Sequence, residues 1–555
     1  MCSLKTISST CYLFSATFAA AAATSTIVIK EKRDSNSPAN WLLTFSIWTN
    51  AKRLFALEPA GTHTDLECIH GLRFFSMVWV IYGHTILYTE YQSFTHFYDV
   101  IETQIPSFIL LPSLNANFSV DTFFVISGIL TTYVTWEITK GDARKFNKFA
   151  FLISRYIRLT PQLAIVILCF FLLPLFGSGP MYKYVSEDKA EVCYNNWVIN
   201  LLYLQSYVRS EKLCIDPSWW LSIEMTFHFV SLIVITVMIQ NVKKGMIVNV
   251  IIASILTLWG SIIHYRNGFA IQYLPSIPQR YEVASEQTNL FFHRPYPHAA
   301  SYFIGIALGY VLANKTVKKL TTTQVYQGWL VCALGLIVSL WGSYYWNLGA
   351  PYTQLQATIY YNLCQVLWPI SIAWIILACS LGHGGFINSI LSARCFVPLG
   401  RVTYMTYLSH ALIIYFYSAS TNIPVEPSML LFVYLFIANT CLALMLGILL
   451  TVVYESPILN LQKHMFAYLT RKFDPTLRDK HTALATTNNT ATHIVREAYH
   501  EKRNGLNPSS CVLLLEGNNG APSTANGATK GDKFSETNRL SATNTNGIAN
   551  NLSKG

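Results

Sequence analysis

The feature that most constrains this chain is a succession of apolar stretches, each about twenty residues long, separated by short polar loops. A helix rises 1.5 Å per residue, so about twenty apolar residues cross the roughly 30 Å hydrocarbon core of a bilayer. Eleven stretches are read at 11–29, 72–90, 117–136, 151–173, 219–240, 246–264, 298–313, 326–345, 357–380, 403–420 and 429–453. The fold class that follows is an all-α integral membrane protein, a polytopic bundle of about ten to eleven transmembrane helices. The stretch at 11–29 reads either as a span or as a signal peptide. Charged residues make up 12% of the 555 residues and hydrophobic residues 52%. A soluble domain carries roughly 25% charged residues. So few charges cannot coat several soluble domains, which excludes a soluble enzyme, a fibrous protein and a largely disordered chain.

Charge placement sets the expected orientation. The loops 30–73, 137–158, 241–246, 314–320 and 381–401 hold 19 Lys and Arg, and the alternating set holds 7. The richer side is read as cytosolic, which puts the N-terminus on the exoplasmic side and the C-terminus in the cytosol. The membrane itself, plasma membrane or endomembrane, is left open. The net charge of +11 is spread between apolar runs rather than gathered in one patch, so no nucleic-acid partner is expected. From about residue 482 the chain is rich in Asn, Thr, Ser, Gly and Ala, a composition that cannot bury a core and reads as a disordered cytosolic tail. Residues 1–64 thus form an N-terminal span and linker, 65–460 the membrane domain and 461–555 the tail.

Ionisable groups within spans are costly and point to function. Arg73 opens the second span, and His84 lies about 16 Å deeper, where it either bridges helices or acts as a base. Asp121 begins the third span, where capping by the helix dipole is the alternative. Glu224 lies early in the fifth span. His84, Asp121 and Glu224 therefore fall at similar depth, and a carboxylate that orients an imidazole is general-base geometry. Arg155 and Arg158, three apart at the start of the fourth span, share a helix face and either grip phosphates or serve only to orient the span. His410 is a second imidazole within a span. Most cysteines read as small hydrophobes, and no metal-ligand spacing occurs. Cys193 and Cys214 share an exoplasmic loop where a disulfide is permitted. Two free thiols are the alternative.

The segments GLRFFSMVWVIYGHT, SVDTFFVISGIL, SRYIRLTP, WWLSIEMTFH, RPYPHAASYFIGIALGY and LGRVTYMTYLSHALI occur in an order that resembles the acyltransferase-3 family, and its animal "nose resistant to fluoxetine" branch most closely. The resemblance implies acyl transfer from acyl-CoA, a co-substrate rather than a bound cofactor, to a hydroxyl or amine acceptor on a lipid, sugar or other molecule, possibly across the membrane. It makes His84, Glu224 and Asp121 the catalytic candidates. Arg73, Arg155 and Arg158 become donor-binding residues, and Arg294 and His410 an acceptor site. The family's Lys/Arg-Pro-Trp-x-Arg stretch reads Arg294-Pro295-Tyr296-Pro297-His298 here, so its second arginine is replaced. A lipid or small-molecule transporter built on the same fold is the rival reading.

Overall fold

Each of the ten apolar stretches between residues 72 and 453 folds as a helix. In a computed structural model of the chain, residues 44–57, 66–88, 95, 96, 108, 111–208, 210–272, 285–317, 319–462 and 465 are described. The stretch at 11–29 and the tail from residue 482 lie outside them. The described residues contain helices and no strand. A short helix α1 (Ile47–Leu54) precedes α2 (Cys68–Leu87), α3 (Phe118–Thr139), α4 (Lys148–Leu172), α5 (Tyr182–Leu201), α6 (Trp219–Gln240) and α7 (Val242–Arg266). Then follow α8 (Ala299–Ala313), α9 (Thr322–Trp341), α10 (Gln354–Ser380) and the last two long helices, α11 (Phe396–Ala419) and α12 (Met429–Leu450).

Among the described residues seven helices are long and apolar enough to cross a membrane. Of the ten expected spans, the three that fall short are α2, α8 and α11. The α8 helix has only 15 residues. The α2 and α11 helices are 20 and 24 residues long, but they carry His70, Arg73 and His84, and Arg401, Thr406 and His410, which lower their hydropathy. The polar residues of the candidate site are thus the reason these two helices look least like spans.

Local signals set where helices begin. Asn147, Asn241 and Ser428 each accept a bond from the backbone three residues on. Thr321 and Thr353 form reciprocal caps with Gln324 and Gln356, which satisfies backbone donors that a helix start leaves open. At the other end of α1, the Arg401 Nη1 donates to the carbonyls of Arg53, Leu54 and Ala56 at 2.9, 2.9 and 2.7 Å.

The α3 and α8 helices form the tightest crossing. A Cβ on Gly128 would meet the Tyr302 carbonyl oxygen, one on Gly305 the Val125 oxygen and one on Gly309 the Ile129 oxygen. Lipid supplies no hydrophobic drive between spans, so close backbone approach at a small-xxx-small pair such as Gly305 and Gly309 is what joins them. The α2 helix is enclosed by α3, α10, α11 and α12. Large apolar side chains stay exposed along α7 (Val250, Ile255, Leu258) and α9 (Leu330, Leu334, Ile337), and these faces are the ones suited to lipid. The loop 174–218 is not irregular: it contains α5, and Cys193 on that helix is joined by a disulfide to Cys214.

Candidate active site

The α4 and α6 helices run antiparallel, and one pair of contacts shows their register. The His228 ring stacks on Phe151 at 4.1 Å, and its Nε2 meets the Phe151 carbonyl oxygen at 3.2 Å. One turn along each helix from that contact, Glu224 and Arg155 meet. The Arg155 Nη2 donates to Glu224 Oε1 and, at 2.8 Å, to Ser127 Oγ, and the Ser127 hydroxyl donates to the same carboxylate oxygen. Glu224 is fully buried. A buried carboxylate needs such a partner, because desolvating an ion costs several kcal/mol. The pairing is incomplete, however: Glu224 Oε2 and Arg155 Nε have no hydrogen-bond partner among the described residues.

Arg73 and Arg158 lie close enough to each other and to Arg155 to interact electrostatically. Neither makes a hydrogen bond or ion pair among the described residues. Arg158 also faces Glu224, Tyr404 and Glu455, and Glu455 accepts from Thr451 Oγ1 at 3.0 Å. Three guanidiniums therefore lie near one another, with Arg155 and Arg158 both near Glu224. Arg158 is exposed. Guanidinium forks match phosphate oxygens.

A second polar centre lies farther along α2. His84 Nδ1 is 2.7 Å from His410 Nε2, and the rings stack 5.0 Å apart with planes 7° off parallel. His410 Nδ1 lies 2.6 Å from the Tyr407 carbonyl oxygen. A carbonyl only accepts, so His410 carries its proton on Nδ1. With both rings neutral, His410 Nε2 is then an acceptor and His84 Nδ1 the donor. The lone pair left over is on His84 Nε2, which makes no hydrogen bond among the described residues. His84 is only partly buried. Its other neighbour is Tyr88, stacked at 4.3 Å.

One helix face joins the two centres. Arg73 and His84 are eleven residues apart, which is close to three turns, so both lie on the same side of α2 about 16 Å apart.

Asp121 belongs to neither centre. Its Oδ1 accepts from His298 Nδ1 and Ser301 Oγ, each at 2.9 Å, and its Oδ2 accepts from the Gln365 amide at 3.1 Å. His298 Nε2 faces the Phe292 carbonyl oxygen at 2.9 Å. Both ring nitrogens of His298 thus have an oxygen partner, and both side chains of the Asp121–His298 pair are fully buried. The pair bonds α3 to the start of α8 beside their glycine seam.

A family model described as an acyltransferase domain matches residues 66–453. This chain belongs to the acyltransferase-3 family. It is similar to the nose resistant to fluoxetine protein 6 of Caenorhabditis elegans, with 26% identity over 417 residues, 69% of this chain and 49% of that protein. It is also similar to the regulator of hypoxia-inducible factor 1 of the same organism, with 24% identity over 392 residues, 64% of this chain and 72% of that protein. The chain thus spans about half the length of the first of these relatives. No solved structure matches it.

The acyltransferase-3 motifs regroup in space. Of the expected triad of His84, Asp121 and Glu224, Asp121 bonds to His298 and Glu224 to Arg155, and the ring beside His84 is that of His410. Arg294 lies outside α8, where its Nε donates to the Asn289 carbonyl oxygen at 3.2 Å. The expected group of Arg73, Arg155 and Arg158 does converge, but Arg155 is held by Glu224, which leaves Arg73 and Arg158 as the unpaired members. His298, read from the sequence only as a lost arginine, bonds to Asp121 from that motif position. Gly305 and Gly309 were also missed as a helix-crossing pair, although their spacing of four was visible. Cys193 and Cys214 join, and nearby Asp216 pairs with Lys189 at 2.8 Å and accepts from the Tyr415 hydroxyl.

Proposed function

We propose that this acyltransferase-3 member transfers an acyl group from a phosphate-bearing thioester, acyl-CoA, to a hydroxyl or amine acceptor. The observation that carries the reading is the lone pair on His84 Nε2, set by the bonds from His84 to His410 and from His410 to the Tyr407 carbonyl. It shares a helix face with the unpaired arginines. The donor's phosphates lie against Arg73 and Arg158, on the side read from loop charge as cytosolic. Arg155, fixed by Glu224 and Ser127, shapes the wall beside them. The arm carrying the thioester extends along α2 toward His84, a separation of about 16 Å that suits an extended pantetheine-like chain.

In the transfer step the acceptor O–H gives its proton to His84 Nε2 as its oxygen attacks the thioester carbonyl carbon. The resulting imidazolium keeps its Nδ1–H bond to His410. Collapse of the tetrahedral species breaks the C–S bond, and the departing thiolate takes the proton from His84. Base and acid are thus one group, returned to its starting state. The membrane location and the acceptor's exoplasmic position are part of this reading.

The test is release of free CoA from acetyl-CoA and longer acyl-CoAs by the purified full chain, beside a His84→Ala variant. Loss of the base is expected to lower the rate about 10²- to 10⁴-fold with CoA affinity kept. An unchanged rate in the variant sinks the role of His84, and no binding of CoA to the wild type sinks the donor assignment.

A further inference from the structure

The short helix α1 turns two unlike faces to its surroundings. On one face Asn50 and Leu54 are buried. The Asn50 Nδ2 donates to the carbonyls of Thr44 at 2.9 Å and Val452 at 3.3 Å. Leu54 packs with Val402 and Val452, and Ile47, Ala51, Leu444 and Ile448 close round the same cluster. On the other face Trp48, Lys52 and Phe55 recur at spacings of four and three, which sets them on one side of the helix. All three are exposed, Trp48 by 63% and Phe55 by 54%, and Arg53 beside them is exposed too. The α1 helix holds no acidic residue. Two large aromatics beside two cations suit neither bulk water nor hydrocarbon, and they do suit the boundary between the two.

The contacts with α12 set the depth of this face. Leu444, Ile448 and Val452 lie in the last turns of the apolar stretch at 429–453, where a span of that length leaves the hydrocarbon core. Met445 and Leu449 on the same turns are exposed and suited to lipid. The α1 helix therefore lies at the level where acyl chains give way to headgroups. It does so at the end of the bundle that carries Arg401 and that loop charge marks as cytosolic. The cytosolic leaflet is the one rich in anionic phospholipid, which attracts Lys and Arg near its surface. We propose that α1 is a docking site for anionic phospholipid, with Lys52 and Arg53 meeting the headgroup and Trp48 and Phe55 seated among the upper acyl chains. The proposal needs neither the acyl donor nor the reacting centre.

The experiment titrates the purified full chain in detergent with phosphatidylserine and, separately, with phosphatidylcholine, and counts bound lipid by native mass spectrometry. A double variant, Lys52→Gln with Arg53→Gln, is run beside the wild type, so that lipid held elsewhere on the chain cancels in the difference. Both side chains are exposed and glutamine keeps helix propensity, so the variant is expected to melt like the wild type. Each cation near an anionic surface is worth about fivefold in affinity, so the expected result is phosphatidylserine binding weakened about 25-fold at this site with phosphatidylcholine unchanged. Should the double variant misfold, Lys52→Gln and Arg53→Gln singly carry the same test, at about fivefold each. Trp48→Ala is expected to weaken both lipids alike, because it removes insertion and not charge; unchanged binding of both would overturn the interfacial seat. Equal phosphatidylserine binding by wild type and double variant overturns the proposal. So does an equal loss of both lipids in the double variant, since the cations would then not read the headgroup charge. No phosphatidylserine bound by the wild type also overturns it, and would leave this face to a protein partner.

Discussion

Replacing Asp121 by leucine distinguishes a structural from a catalytic carboxylate. In the wild type Asp121 receives bonds from His298, Ser301 and Gln365, and none of these side chains is exposed to solvent. The substitution leaves these three side chains without their shared acceptor. Removing one member of a fully buried ion pair costs about 3–5 kcal/mol. A double variant, Asp121→Leu with His298→Leu, removes both partners and is expected to be less destabilised than the single variant by about 2 kcal/mol. The assay is unfolding in mixed detergent micelles for wild type, both single variants and the double, read as a double-mutant cycle. Additive losses would refute the pairing. A stable Asp121→Leu protein whose chemical step is abolished would refute the structural role and return Asp121 to the reacting centre.

Two further outcomes follow from the geometry. His410→Ala is expected to lower kcat about 10²-fold with donor affinity unchanged. His410→Gln should recover part of the rate, because its side-chain carbonyl oxygen can accept from His84 Nδ1; equal rates for the two variants would count against an orienting role. Gly305→Val forces a branched side chain against the Val125 carbonyl and is expected to cost about 1–3 kcal/mol by overpacking, measured by unfolding in the same micelles. Wild-type stability would show that α3 and α8 part more easily than their contact suggests.

The membrane class was legible because twenty-residue apolar windows separated by charged loops admit few other folds. The arginine group was legible too, since the Arg155–Arg158 spacing needs only helical periodicity. Partner choice was not. Asp121 and Glu224 both begin spans that were read as entering from one side, and depth alone put each near His84. Asp121 goes to His298 because α3 meets α8 at glycines, a consequence of the Gly305 and Gly309 spacing rather than of depth. Glu224 goes to Arg155 because α6 and α4 are not level at their ends: His228, ten residues into α6, lies against Phe151, four residues into α4. Offsets of that kind arise from packing between helices far apart in the chain and leave no mark in a local window.

The bond between His84 and His410 has a consequence for how the protein is made. It closes a separation of 326 residues, so the His84 ring cannot acquire this partner until α11 has emerged from the ribosome and entered the bundle. A nascent chain that already holds α2 and α4 would carry Arg73, Arg155 and Arg158 but no partner for the imidazole. Synthesis would thus assemble the arginine group first and complete the histidine pair almost last.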